Sequence, residues 1–283
     1  MEERHEYQSI SVESAGAVGA YVRGVDLADF DANALADLRA AFAEYGLLFF
    51  PDQTLTPAQH IAFAEAWGEI NVNRFFAAVP EYPQIAEVLK EPDQSFNVGG
   101  GWHTDHSYDE IPALGSMLYA KELPLRGGDT LFANTCLAYD TLSDGLKETL
   151  HGLSALHSSR HAFGPGAAYG EAFKGRLSNA EAATQDVVHP VVITHPLSGR
   201  KSLYVNPGFT RHFVGWTMEE SEALLQYLYR HVARPEHTIR LKWSPGMLAF
   251  WDNRATWHMA VNDYHGQRRY MHRITLEGVP VAA

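Results

Sequence analysis

The chain has 283 residues, with 22 Lys plus Arg against 34 Asp plus Glu, giving a formal charge of −12. Its 46% hydrophobic and 20% charged residues are globular proportions, which exclude a disordered chain. The acidic balance excludes a general nucleic-acid binder, which needs a basic surface, and attachment to an anionic membrane through charge alone.

The first 7 residues are polar and acidic and lack the apolar core of a signal peptide. Val18 to Leu27 reads as a short strand ending in a turn. Leu35, Leu38, Phe42 and Tyr45 recur at helical spacing, which predicts an amphipathic helix over 32–45, ended by Gly46. Leu47 to Phe50 reads as a buried strand closed by Pro51. Thr56, Pro57 and Gln59 form a helix-start signal before Ile61, Phe63, Ala64 and Trp67, with Gly68 as the stop.

Strands are predicted over Gly115–Ala120 and Thr130–Ala133, then a helix over 136–151. Val187–His195, Ser202–Asn206, Thr238–Trp243, Gly246–Asp252 and Arg268–Glu277 also read as strands. Thr217 and Glu220 make a capping box before Leu224, Leu225, Leu228 and Tyr229. Many short strands with few helices point to a β-sandwich or jelly roll with helices packed outside. No linker, repeat or low-complexity tract divides the chain, so one domain over 1–283 is expected. The single cysteine, Cys136, fits a reducing, cytoplasmic setting and excludes a disulfide scaffold or Cys-rich zinc site. No apolar run approaches the roughly 18 residues of a membrane span.

Chemistry concentrates in a few stretches. In Trp102-His-Thr-Asp105, a strand would turn His103 and Asp105 to one face, which is two thirds of a facial metal triad. His258, in Asp252-Asn-Arg-Ala-Thr-Trp-His258, offers a second imidazole. The bland alternative for H-x-D is a surface histidine beside a carboxylate. Arg269, Met271 and Arg273 share one face of the last strand. An inward Arg269 could hold a carboxylate through two parallel hydrogen bonds, whereas an outward one would belong to a solvated edge. A zinc hydrolase built on the same His-Asp-His set would need a positioned base and an oxyanion clamp, for which the sequence carries no signal.

W-H-T-D at 102–105, L-P-L-R-G-G-D-T at 123–130, T-H-P-L-S-G at 194–199, L-Y-V-N-P-G-F-T at 203–210, W-D-N-R-A-T-W-H at 251–258 and R-R-Y-M-H-R at 268–273 occur in this order. Together they resemble the taurine dioxygenase/2,4-D dioxygenase family, over nearly the whole chain. The resemblance implies a mainly β fold, a double-stranded β-helix (a distorted, cupin-like jelly roll) with helical insertions. It implies Fe(II) held by His103, Asp105 and His258, with 2-oxoglutarate and O2 as cosubstrates. It places Arg269 and Thr130 on the distal carboxylate of 2-oxoglutarate, and Arg273 on the anionic group of the primary substrate. Asp105 favours hydroxylation over halogenation.

By the same resemblance Asn73, Phe76, Phe163 and Phe209 are substrate-site residues; Asn97 is a further candidate polar contact, with loop capping as its bland alternative. Asn73 and Phe76 stand where taurine enzymes have a histidine and a tyrosine, and Gly99 stands in place of an asparagine. Loss of those polar contacts argues against taurine and for a more apolar anion, such as an alkyl sulfate, a sulfonate or an aryloxyalkanoate. Taurine dioxygenase proper and a non-catalytic binding protein of the same fold are the alternatives. A homodimer or tetramer is expected, with segments 70–100 and 160–185 covering the iron.

Overall fold

In the computed structural model, which describes residues 5–165, 167 and 179–283, Asp31 starts helix α1 (Ala32–Tyr45) by accepting a hydrogen bond from the Ala34 N–H. Gly46 ends it in the left-handed conformation at φ 67°, which suits a residue without a Cβ, and its N–H returns to the Phe42 carbonyl. The Thr56–Gln59 capping box opens α2 (Pro57–Glu65). The remaining helices are α3 (Thr135–Asp140), α4 (Asp144–Leu150), α5 (Arg160–Phe163) and α6 (Met218–Val232).

The strands in chain order are β1 (Ser11–Ser14), β2 (Ala20–Arg23), β3 (Leu47–Phe50), β4 (Ile70–Asn71), β5 (Ala78–Val79), β6 (Tyr82–Lys90), β7 (Gly115–Glu122), β8 (Thr130–Asn134) and β9 (Ser154–Ser158). They continue as β10 (Asp186–Pro190), β11 (Val192–Thr194), β12 (Lys201–Leu203), β13 (Thr210–Phe213), β14 (Thr238–Leu241), β15 (Leu248–Asp252), β16 (Thr256–Ala260) and β17 (Arg269–Leu276). The large sheet runs β1-β2-β3-β15-β7-β17-β6-β5, with β4 added to β17. A smaller sheet, β14-β8-β16, shares a core with it.

Alternation along the strands explains why Leu47–Phe50 and Leu248–Asp252 are buried throughout. Leu47, Phe49, Ala249, Trp251, Leu118 and Met271 pack inward, with Phe132 and Leu241 of the small sheet. Leu48, Phe50, Leu248, Phe250, Met117 and Ile274 take the other face, beneath Leu38, Phe42, Phe63 and Ala64 of α1 and α2. Both faces of the large sheet are thus covered, and the inward face is the one that carries the site. This is the expected jelly roll with helices outside.

Several local expectations change. The helix predicted over 136–151 is two helices, because Ser143 caps α4 and breaks the run. The strand predicted over 187–195 is divided between β10 and β11, which belong to different sheets. The strand predicted for 18–27 is only four residues long, as β2. Within 70–100, expected to cover the iron, β6 instead joins the large sheet beside β17. Much of 160–185 lies outside the described residues.

Two histidines are sealed into this framework. His60 on α2 is 1% exposed and neither ring nitrogen has a partner among the described residues, and His157 on β9 is equally enclosed. Burial, followed by the nearby positive groups His272 and Lys121 for His60 and by His189 for His157, pushes each down to about 3. The unfolded chain takes up these protons near the ordinary histidine value of about 6.5, whereas the folded chain resists until about pH 3. The unfolded state therefore binds more protons across that window, and stability falls with pH by about 1.4 kcal/mol per unit per histidine. Urea melts of wild type and His60→Leu at pH 7 and pH 4.5 should show a smaller acid loss in the variant. An equal loss in both would mean that His60 does not contribute.

Candidate metal centre and active site

His258 sits inside β16, which pairs with β8 at Phe132. The hairpin turn that delivers it is fixed by a buried ion pair. The Arg254 Nε and Nη2 fork onto the Asp252 carboxylate at 2.8 and 2.7 Å, and His195 Nε2 lies 3.0 Å from the same carboxylate. Burial opposes the charge on Asp252, but Arg254 and then His195 hold its carboxyl well below the usual range. The Thr256 hydroxyl closes the turn by donating to the Asp252 carbonyl.

His103 lies outside any regular strand, contrary to the strand expected for His103–Asp105. Two reciprocal backbone bonds nevertheless pair it with His258. His103 N–H reaches the His258 carbonyl at 3.1 Å, and His258 N–H reaches the His103 carbonyl at 2.8 Å. Residues paired in this way project to one face, and the two rings stand 4.2 Å apart. The chain then enters a turn. Thr104 points away, its hydroxyl donating to the Asn253 carbonyl, while Asp105 returns to the histidine side. The result is the shared face that the sequence predicted, reached through a turn.

The ligating atoms of His103, Asp105 and His258 lie within 4.8 Å of one another. Their chemistry fits a divalent metal. His103 Nδ1 is 2.8 Å from the Gly101 carbonyl, an acceptor only, so the proton sits on Nδ1 and the Nε2 lone pair is free. Burial, then the neighbouring His103, pushes His258 down to about 3, which keeps it neutral. Asp105 is buried, which opposes its charge, but Arg273, His258 and His103 hold the carboxyl far below the usual range. Ser116 Oγ donates to Asp105 Oδ2 at 2.9 Å and fixes its plane. One carboxylate between two imidazoles, with a face open to a cavity, is a mixed N/O metal set.

Arg269 and Arg273 lie on the inward face of β17, as the alternation predicted. Arg269 is 4% exposed; its Nε donates to the Gly128 carbonyl at 3.1 Å, and its Nη2 has no partner among the described residues. Burial depresses its guanidinium from the ordinary value. Thr130, on β8, accepts a bond from Trp243 Nε1 at 2.9 Å, which leaves its own hydroxyl proton to donate. A narrow cleft joins Thr130 and Arg269 to His103, His258 and Arg273. An unsatisfied buried guanidinium and a hydroxyl at the end of a cleft are suited to a carboxylate.

Arg273 places Nη1 3.4 Å from Asp105 Oδ1 and packs its guanidinium 4.7 Å from the Phe76 ring centre. It also borders a cavity of about 440 Å³ that is lined by His103 and Asp105. Phe76, Phe163 and Phe209 line this cavity, together with Tyr108, His106, His161 and the Gly99–Gly101 run. Phe75 stacks on Phe163 at 4.6 Å and braces the wall from behind. Gly208 passes so close to His103 that a Cβ there would come within 2.7 Å of His103 Cβ, which explains the glycine.

Asn73 and Asn97 stand apart from this wall. The Asn73 side-chain oxygen accepts from the N–H groups of Phe75 and Phe76 and so holds the turn that presents Phe76. Asn97 donates to the Ala260 carbonyl at 3.0 Å and ties the glycine-rich loop to β16. Sequence reasoning missed Trp243, Tyr108 and His106. Tyr108 and His106 carry a signal only in retrospect, as the residues that directly follow a ligand in a turn.

Residues 11–275 match the model of the family described as taurine catabolism dioxygenase TauD, TfdA. The chain is 34% identical over 279 residues to an alpha-ketoglutarate-dependent sulfate ester dioxygenase of Pseudomonas putida, covering 94% of this chain and 89% of that one. It is 35% identical over 271 residues to a (S)-phenoxypropionate/alpha-ketoglutarate-dioxygenase of Sphingobium herbicidovorans, covering 93% of each. Among solved structures, a taurine dioxygenase from Burkholderia xenovorans superposes with a TM-score of 0.81 at 36% identity, covering 96% of this chain and 90% of that one.

Proposed function

Because the chain belongs to the taurine catabolism dioxygenase TauD, TfdA family, we propose that it is an Fe(II)- and 2-oxoglutarate-dependent dioxygenase that hydroxylates a small anionic substrate with an apolar body. The observation that carries this reading is the His103–Asp105–His258 set, joined by one cleft to the unsatisfied guanidinium of Arg269. His103 Nε2, His258 Nε2 and the Asp105 carboxylate would hold the iron. Arg269 and Thr130 would hold the distal carboxylate of 2-oxoglutarate. When bound, iron activates O2, and 2-oxoglutarate is oxidised to succinate and CO2 as the substrate carbon is hydroxylated.

Arg273 would take the anionic group of the primary substrate, and Phe76, Phe163 and Phe209 would enclose its body. The relatives acting on sulfate esters and phenoxypropionate support this class. Taurine is disfavoured, because the wall around Arg273 is aromatic and the Asn73 oxygen is committed to backbone.

The test is an anaerobic titration of the Fe(II) protein with 2-oxoglutarate, read by its weak visible charge-transfer band. An aerobic succinate assay with hexyl sulfate, hexanesulfonate, 2-phenoxypropionate and taurine follows. The band together with succinate stimulated by one of the first three supports the reading. Stimulation by taurine alone would overturn the substrate class, and absence of the band would overturn the cosubstrate site. Arg273→Ala should raise KM for the active anion by tenfold or more, while the 2-oxoglutarate requirement stays within about threefold. The opposite ranking would exchange the roles of the two arginines.

A further inference from the structure

Behind the cleft that ends at Thr130 and Arg269 stands a side chain that touches both residues and stays out of the cleft lining. Trp243 is 8% exposed and packs in the core between the two sheets, with Phe49, Leu118, Trp251 and Met271. It lies two residues beyond Leu241, which pairs with Thr130 across β14 and β8. The loop that carries it is fixed at Gly246, whose N–H donates to the Ala120 carbonyl at 3.3 Å and whose carbonyl accepts from Gln53 N–H at 2.9 Å. That glycine is left-handed, at φ 75°, and a Cβ there would come within 2.5 Å of the Gln53 carbonyl oxygen.

An apolar side chain would serve the core equally well. The indole adds two polar contacts, and both fall on the residues assigned to the distal carboxylate. Its Nε1 donates to Thr130 Oγ1 at 2.9 Å. An indole nitrogen can only donate, so Thr130 is the acceptor there and its own proton must point elsewhere. The Thr130 hydroxyl makes no other hydrogen bond among the described residues, and Thr130 borders the cleft. The indole ring faces Arg269, with the guanidinium carbon 5.8 Å from the ring centre. Burial works against the charge of Arg269. An aromatic face attracts a cation, and more strongly where water is excluded. A hydroxyl rotor and a long guanidinium both lose freedom when they grip a ligand, and fixing them beforehand removes that cost. We propose that Trp243 is a positioning residue for the cosubstrate, which sets the Thr130 hydroxyl as a donor and steadies the Arg269 guanidinium toward the distal carboxylate of 2-oxoglutarate. This rests on the cosubstrate reading given above.

The two contacts separate by substitution. Trp243→Phe keeps an aromatic face beside Arg269 and loses the N–H, whereas Trp243→Leu loses both. Binding is read anaerobically, by titrating 2-oxoglutarate into the Fe(II) protein and following the charge-transfer band. Trp243→Phe should weaken 2-oxoglutarate by about fivefold, within the range of one hydrogen bond. Trp243→Leu should weaken it by about 20-fold, because the ring contact is lost as well. In a Thr130→Val background, Trp243→Phe should change affinity by no more than about twofold, since its N–H has no hydroxyl left to orient. Trp243→Leu opens a cavity and should lower the melting temperature, so the phenylalanine variant decides the hydroxyl path. Bound iron after equilibrium dialysis should be unchanged in Trp243→Phe.

Wild-type 2-oxoglutarate affinity in Trp243→Phe would overturn the inference and leave Trp243 as a core residue. An equal loss from Trp243→Phe in the wild-type and Thr130→Val backgrounds, or a parallel loss of iron, would also overturn it in favour of a structural role. If the wild type itself shows no charge-transfer band, the cosubstrate reading fails and the inference falls with it. A normal wild-type band with an insensitive Trp243→Phe confines the failure to the inference.

Discussion

His258→Ala should fold and yet lose metal binding and turnover. The bonds that join His103 to β16 run through the backbone of residue 258, and alanine keeps both. The strand pairing with Phe132 also survives. What disappears is one of three ligating atoms packed within 4.8 Å. Changes to groups that only orient a metal ligand cost about 10- to 100-fold in affinity, so loss of the ligand itself should cost at least about a hundredfold. The measurement is bound iron or cobalt after equilibrium dialysis, beside a thermal melt of the metal-free protein. An unchanged melt with metal lost supports the assignment. Retained metal and succinate production would remove His258 from the site. His157→Ala provides a contrast, because His157 is also buried but bonds to Ser107 at 3.1 Å and lies outside the ligand set.

Arg269→Ala should act on the cosubstrate and spare the fold. A structural buried arginine is paired, and cutting such a pair destabilises strongly. Arg254 is of that kind, with two bonds to Asp252. Arg269 has one bond to a carbonyl and an unsatisfied Nη2, and burial works against its charge. Removing it relieves a desolvated cation, so the protein without 2-oxoglutarate should melt no lower than wild type. With 2-oxoglutarate present, a buried charge-assisted contact is absent. That costs about 2–5 kcal/mol, or roughly 30-fold to several thousandfold in affinity. The split decides the matter, because a fall in stability with unchanged 2-oxoglutarate affinity would make Arg269 a structural residue.

The regular elements were most legible where one local rule dominated. Asp31 to Gly46 carries helical periodicity between a cap and a glycine, and the helix found is α1 without adjustment. Ser143 was harder, because its capping role competes with an apolar pattern that runs across it. Val187–His195 is one apolar run, and nothing local tells that it changes sheet at Val191. Pro83 hid β6, since proline reads against a strand although it stands near the start of this one.

The site divides in the same way. The parity of Arg269 and Arg273 follows from the period of a strand and needs no tertiary knowledge. The shared face of His103 and Asp105 was anticipated for a strand and is produced by a turn. That turn is also why His106 and Tyr108 could not be placed. Their directions depend on a left-handed residue and on partners, such as Arg74 and Phe209, that are distant in sequence. Asn73 was placed by correspondence with a taurine-site histidine, but its short side chain caps its own turn.

The position of β17 has a consequence for synthesis. It follows the other described strands in chain order, yet it lies between β7 and β6 in the middle of the large sheet. Until residue 276 has left the ribosome, β7 and β6 each present an unpaired edge to the surroundings. The same strand brings both arginines, and the partner of His103 arrives 155 residues after it. Metal and cosubstrate therefore cannot template the early chain. They can act only after β17 has been made, and a product truncated before β17 would carry two sticky edges and no cosubstrate anchor. High sequence separation of this kind slows folding, so the nascent protein should depend on chaperones until β17 has been made and paired.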